Sequence, residues 1–66
     1  MRTELKVLRA RKGVTQQEAA RRTGVSVTTF NLIENGSRRG SHEFWVRLQR
    51  EFDLSDGEVW KLQQKI

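Results

Sequence analysis

The stretch TQQEAARRTGVSVTTFNLIENG, Thr15 to Gly36, constrains this chain more than any other. It reads as two short helices joined at a glycine. Thr15-Gln16-Gln17-Glu18 fits a capping box, in which the Thr15 hydroxyl accepts from the Glu18 amide and the Glu18 carboxylate reaches back. Ala19 and Ala20 keep this helix slim, so that another can approach closely. Gly24 ends it, where a positive φ is low in energy only for glycine. Ser26 caps the next helix. Phe30 and Ile33 share its inner face with Val25, and Asn35-Gly36 is a strong stop. Val27, Thr28, Asn31 and Leu32 fall elsewhere on the wheel, on a face with hydroxyls and aliphatics but no charge.

The remaining punctuation predicts three further helices, making an all-α fold of five short helices in a single domain over residues 1–66. The first runs from about Thr3 to Lys12, with Leu5 and Leu8 on one face and Gly13 as its stop. Ser41 caps the fourth, whose core stripe is Trp45, Leu48 and Phe52. Ser55-Asp56-Gly57-Glu58 is a second capping box, opening a last helix with Val59, Trp60, Leu62 and Ile66. A chain of 66 residues is near the lower size limit for folding alone. The absence of cysteine excludes disulfides and thiolate metal sites, and a single histidine, His42, excludes histidine clusters. No cofactor or metal is expected. With no nucleophile–base pair, carboxylate pair or phosphate-binding glycine loop, neither is catalysis. His42, beside Ser41 at a helix start, reads as a surface residue near phosphate. No apolar run approaches the ~20 residues of a membrane span, and the N-terminus lacks the apolar core of a secretory signal. The expectation is a soluble protein of the cytoplasm.

The net charge of +5 is unevenly spread. Residues 1–40 hold nine basic and three acidic side chains, whereas residues 41–66 hold four and five. A charged half and a near-neutral half point to one face for a polyanion, most commonly nucleic acid, and another for something else.

The central pair has the shape of a helix-turn-helix, a short helix and a second one crossing at a steep angle through a glycine-containing turn. The sequence here resembles the lambda-repressor-like, Xre/Cro/CI-type family, from Leu5 to about Trp60. The resemblance rests on Leu5-Lys6-Val7-Leu8-Arg9, Lys12-Gly13-Val14-Thr15-Gln16, Ala20, Gly24-Val25-Ser26, Ile33-Glu34-Asn35-Gly36, the Arg38-Arg39 loop and the segment from Leu48 to Leu54. It implies five helices with the third entering the DNA major groove. It also implies that Gln16 contacts the DNA backbone and that Arg9 and Glu34 form a structural ion pair between the first and third helices. A half-buried charge beside an apolar stripe needs such a partner.

Helix N-termini present free amides and partial positive charge to phosphate. Thr15, Gln16, Ser26, Thr29 and Ser41, with Arg38 and Arg39 on the loop before the fourth helix, are therefore the expected backbone contacts. Arg21 and Arg22 read equally well as solvated surface. Val27, Thr28, Asn31 and Leu32 are the expected base readout. Many relatives carry glutamine, arginine or serine at positions matching Val27, Thr28 and Leu32. Here Thr28 and Asn31 offer hydrogen bonds, Asn31 to adenine, while Val27 and Leu32 pack on thymine methyls. The expected site is a palindromic operator with A·T pairs in each half-site.

Phe44, at a position usually polar in the family, joins Trp60, Leu62 and Ile66 as candidates for a homodimer seam. Their alternative is closure of a small core. The leading function is a DNA-binding regulator, a repressor occluding a promoter. The alternative is a protein-interaction module, such as an antitoxin or adaptor, on the same scaffold.

Overall fold

The computed structural model describes residues 1–64. Five helices follow one another: α1 (Thr3–Lys12), α2 (Gln16–Thr23), α3 (Val27–Glu34), α4 (His42–Phe52) and α5 (Asp56–Leu62). The all-α, five-helix expectation is met, and the helix starts lie where the hydroxyl residues predict them. Thr15, Ser26, Ser41 and Ser55 each accept from the backbone amide of the third helical residue after them. Each bond satisfies one amide that a helix start leaves without a partner.

The two capping boxes differ. Ser55 and Glu58 form the complete reciprocal pair. At α2 only the Thr15 half forms, because the Glu18 carboxylate turns to Arg21 and Arg22 on its own helix. Two guanidinium groups one turn away outcompete a single neutral amide for the same oxygens. They hold the Glu18 carboxyl down at about 2, chiefly through the hydrogen bond from Arg21 and then that from Arg22.

The core is built from Leu5 and Leu8 of α1, Ala19 and Ala20 of α2, Phe30 and Ile33 of α3, and the inner face of α4. That face is Phe44, Trp45, Leu48 and Phe52, so the α4 stripe is wider than expected. Phe44 packs on Phe30, ring centroids 5.9 Å apart, and meets Trp45 edge-on at 4.9 Å. It is therefore an internal residue and cannot form a dimer seam. The same correction applies to Leu62, which shares a buried face with Val59 one turn earlier. Trp60 falls on the opposite side of α5 and is 66% exposed, so it does not close the core. Ile66 lies outside the described residues.

Gly24 serves two requirements. Its φ of 78° suits glycine, and a methyl group there would lie 2.2 Å from Nη1 of Arg47 on α4. Arg47 also donates to the carbonyl of Arg22 at 3.4 Å, near the end of α2. The turn glycine thus lets α4 lay a guanidinium across the α2–α3 junction.

Arg2 is a buried charge that the sequence did not announce, with 1% of its surface exposed. Its amide donates to the Glu34 carbonyl at 2.8 Å. Its guanidinium donates to the carbonyls of Ile33, Arg38 (2.7 Å) and Arg39 (3.2 Å), and lies 5.5 Å from the centre of the Trp45 ring. Trp45 in turn donates from its indole nitrogen to the Arg39 carbonyl at 3.1 Å. Burial lowers the Arg2 pKa. The negative carbonyl end of α3 supplies the compensating field, because free carbonyls and the helix dipole both favour a cation there.

Arg9 and Glu34 join α1 to α3. The Arg9 guanidinium reaches both Glu34 oxygens, at 2.8 and 3.1 Å, and also the Val14 carbonyl at 3.1 Å. Burial by itself pushes the Glu34 carboxyl up. Hydrogen bonds from Arg9 and Gln16, with the Arg9 charge, more than offset this and hold it below the ordinary range.

Two outcomes are expected. Arg2→Met should keep the chain folded but destabilise it by about 2–4 kcal/mol, because charged hydrogen bonds to buried carbonyls are lost. Denaturant unfolding measures this, and a loss below ~0.5 kcal/mol would place Arg2 among ordinary surface residues. The depressed Glu34 carboxyl contributes stability that is fully present above the unfolded carboxyl pKa of ~4.3 and is lost as pH falls through the folded value. Glu34→Gln should therefore flatten the acid limb of stability below about pH 4. Unchanged pH curves for the two proteins would contradict the assignment.

Candidate nucleic-acid interface

The outward residues of α3 form one continuous surface. Val27, Thr28, Asn31 and Leu32 line, together with Gln16 from the start of α2, a shallow depression of about 310 Å³. Val27 is 45% exposed, Thr28 and Asn31 are exposed, and Leu32 is half-buried. The helical repeat places 27 and 28 one turn before 31 and 32, so the four side chains stand together as two pairs.

The expected backbone contacts divide into groups. Thr29, Arg38, Arg39 and Ser41 line a second hollow of about 370 Å³, floored by Val25, Ile33 and Phe44. Ser26 sits at the α3 N-terminus, where its hydroxyl accepts from the Thr29 amide and donates to Thr29 Oγ1, both at 3.0 Å. Thr15 does the corresponding work at α2, accepting from the Glu18 amide at 3.1 Å. Both hydroxyls are thereby engaged in capping, and what each helix start offers outward is its remaining amides.

Gln16 belongs to the first hollow rather than the second. Its Nε2 donates to Glu34 Oε1 at 2.9 Å, beneath the surface. Its Oε1 faces outward and accepts from Asn31 Nδ2 at 3.4 Å. Asn31 Oδ1 accepts from Asn35 Nδ2 at 3.4 Å, and Asn35 Oδ1 accepts from the Ser37 amide at 2.9 Å. A line of side-chain amides therefore crosses the candidate face from the buried carboxylate to the start of the loop.

The arginines separate by partner. Arg21 and Arg22 share Glu18, and Arg22 also covers the Phe52 ring at 5.6 Å. Arg38 and Arg39 are exposed and make no salt bridge among the described residues. Arg2 holds both of their backbone carbonyls. The loop is thus anchored at its backbone while its two charged side chains extend from it. No cluster of three or more His, Cys, Asp or Glu side chains suited to a metal ion occurs among the described residues. No helix among them is long and apolar enough to cross a membrane.

Arg2, Arg47 and Asn35 contribute to this arrangement and were missed as side-chain partners. Arg2 precedes the first helical turn, so no periodicity reports on it. Arg47 lies beside the α4 core stripe, where an arginine reads as solvated. Asn35 reads as a stop, and a stop residue carries no information about where its side chain points.

A helix-turn-helix domain family matches residues 1–61. A protein of Archaeoglobus fulgidus described as an uncharacterized HTH-type transcriptional regulator is 32% identical over 68 residues, covering 91% of this chain and 97% of its own. No solved structure matches the chain. Together with a capped α2, a glycine turn and a capped α3 packed across it, these matches make the chain a member of the helix-turn-helix domain family.

Proposed function

We propose that the chain is a sequence-specific double-stranded DNA-binding transcriptional regulator of the lambda-repressor-like, Xre/Cro/CI type, working as a repressor that occludes a promoter. The carrying observation is the uncharged α3 face, gathered into one depression, together with two exposed arginines on the following loop that make no salt bridge among the described residues. That division suits DNA. Cations and helix N-termini supply sequence-independent attraction to phosphate, and an uncharged face inserted in the major groove supplies choice. The regulator-type description of the archaeal relative supports the reading.

In this reading, Thr28 and Asn31 hydrogen-bond base edges, and Val27 and Leu32 pack on thymine methyls. Arg38, Arg39, the amides behind Thr15, Ser26 and Ser41, and Gln16 and Thr29 meet the backbone. The protein works in the cytoplasm or on the nucleoid, as a single domain over residues 1–66 without cofactor or catalysis. A homodimer would set two α3 helices about 34 Å apart on a palindromic site. Phe44 and Leu62 are internal, so among the described residues Trp60 carries the seam, with Ile66 the candidate beyond them. It lies over a hollow of about 590 Å³ with Thr3, Glu4, Lys61 and Gln64, whose opposite charges suit a second copy turned by a two-fold axis. The same exposed Trp60 favours the second reading, a protein-interaction module such as an antitoxin or adaptor.

Selection from a random duplex pool at moderate salt decides between the readings. A regulator enriches an A·T-containing half-site, and an interaction module enriches nothing. Thr28→Ala should weaken specific binding about tenfold while nonspecific binding holds. Arg39→Ala should weaken both and reduce the salt slope by roughly one. Equal losses for the two variants on both kinds of DNA would remove the division of roles. Trp60→Ala should leave the fold intact and lower the two-to-one protein–duplex stoichiometry in analytical sedimentation. Unchanged stoichiometry would take the seam elsewhere.

A further inference from the structure

The line of amides across α3 has a direction, and both of its ends are fixed. At one end stands the Glu34 carboxylate, which is ionised by its bidentate contact with Arg9 and can only accept. Gln16 must therefore turn its NH₂ inward, which leaves its carbonyl facing Asn31. Asn31 must turn its NH₂ to that carbonyl, which leaves its own carbonyl toward Asn35. Asn35 donates to it in turn and keeps a carbonyl for the Ser37 amide. At this far end the partner is a backbone N–H, which can only donate. Every donor in the series points toward Glu34, and neither end can be reversed.

A primary amide is ordinarily ambiguous, because a half-turn about its last bond exchanges donor and acceptor. Asn31 lies in the relay with a fixed neighbour on each side, so its half-turn would set carbonyl against carbonyl at Gln16 and NH₂ against NH₂ at Asn35. We infer that Gln16 and Asn35 are positioning residues that lock the donor–acceptor order of Asn31, and that this order lets α3 distinguish A·T from T·A at one base pair of each half-site. Adenine presents an acceptor at N7 beside a donor at N6 in the major groove. Turning the pair over moves that couple to the other side of the groove. An amide free to flip follows it at little cost, whereas a locked one does not. The oxygen and nitrogen of Asn31 each retain a bonding direction beyond the relay, so the same order that is fixed internally is what a base meets.

The inference rests on the DNA-binding reading above, and its test separates the two. Asn35→Asp keeps the shape and the acceptor for Ser37 but cannot donate to Asn31. Gln16→Met keeps the length and removes the amide at the other side. Duplex selection is run on the wild-type chain, on Asn31→Ala and on both positioning variants, with thermal melts to confirm folding. The wild-type chain should prefer one orientation of an A·T pair by about tenfold at a position that Asn31→Ala erases. In both positioning variants that preference should fall to within about threefold of the reverse orientation, while preferences at positions read by Thr28 persist. A wild-type chain that selects no sequence overturns the proposed function itself. One that selects, with the Asn31 position unaltered in both variants, overturns the relay alone. A readout without DNA stands beside this. In NMR spectra of the free protein, the Asn31 side-chain amide protons should show NOEs to the Gln16 side chain and none to the Asn35 β protons, since the NH₂ faces Gln16 and the oxygen faces Asn35. Both variants should bring in NOEs to the β protons of residue 35, and an unaltered NOE pattern would refute the locking.

Discussion

The Glu34 carboxylate is the point on which the rest of the molecule turns. An ionised carboxylate taken out of water carries a desolvation cost of several kcal/mol, which only close and complete pairing can offset. Here the pairing draws on three elements: Arg9 of α1, Gln16 at the start of α2, and the α3 backbone from which Glu34 projects. Its own carbonyl is taken by the Arg2 amide. The relative placement of α1, α2 and α3 is therefore specified by a polar junction as well as by the apolar core beneath it. A core of leucines and phenylalanines tolerates small slips between helices. A bidentate ion pair with a third hydrogen bond does not, and it sits where the candidate readout face begins.

The same arginine chemistry clarifies what the basic composition means. The first forty residues carry a large positive excess, yet much of it is already paired within the molecule. Arg2 serves carbonyls, Arg9 serves Glu34, and Arg21 and Arg22 share Glu18. Guanidinium suits such positions because its planar donors reach several oxygens at once and it stacks on rings. The charge available to a polyanion is thus concentrated in fewer side chains than the composition implies, with Arg38 and Arg39 foremost. Arg2 links the two uses. By holding the carbonyls of residues 38 and 39 it fixes the backbone from which those charges project, which lowers the ordering cost of any contact they make.

Local features were legible in the sequence and distant ones were not. The helix starts at Thr15, Ser26, Ser41 and Ser55 could be read because a cap involves residues three apart, a span any short window contains. The stops at Gly13 and Gly24 were legible for the same reason. The α2 box failed within that window, since Glu18 had two competing arginines in view and the neutral amide lost. Phe44 and Leu62 read as seam candidates but are internal, because the width of an apolar stripe depends on how closely neighbouring helices approach. Trp60 does not close the core, because one residue's rotation turns it to the exposed face of α5. On the candidate site, the grouping of Val27, Thr28, Asn31 and Leu32 follows from helical periodicity alone. The Gln16–Asn31 and Gln16–Glu34 contacts span loops and a turn, so no local pattern encodes them. Arg2 is the extreme case, meeting partners more than thirty residues away.

In the proposed function, the uncharged candidate readout face and the buried ion pair are complementary parts of one solution. A short domain contacts few bases, so each contact must discriminate strongly, and flexible side chains discriminate weakly because they adapt to the wrong partner. Val27 and Thr28 are β-branched and stiff at χ1. Asn31 is unbranched and would be the adaptable member of the group. The amide line running out from Glu34 supplies the stiffness that its own covalent structure lacks. Charge placed directly on this face would do the opposite, since a long lysine or arginine finds an acceptor in most sequences. Keeping the charge underneath, where it fixes direction, and at the rim, where it supplies attraction, leaves the face itself free to discriminate.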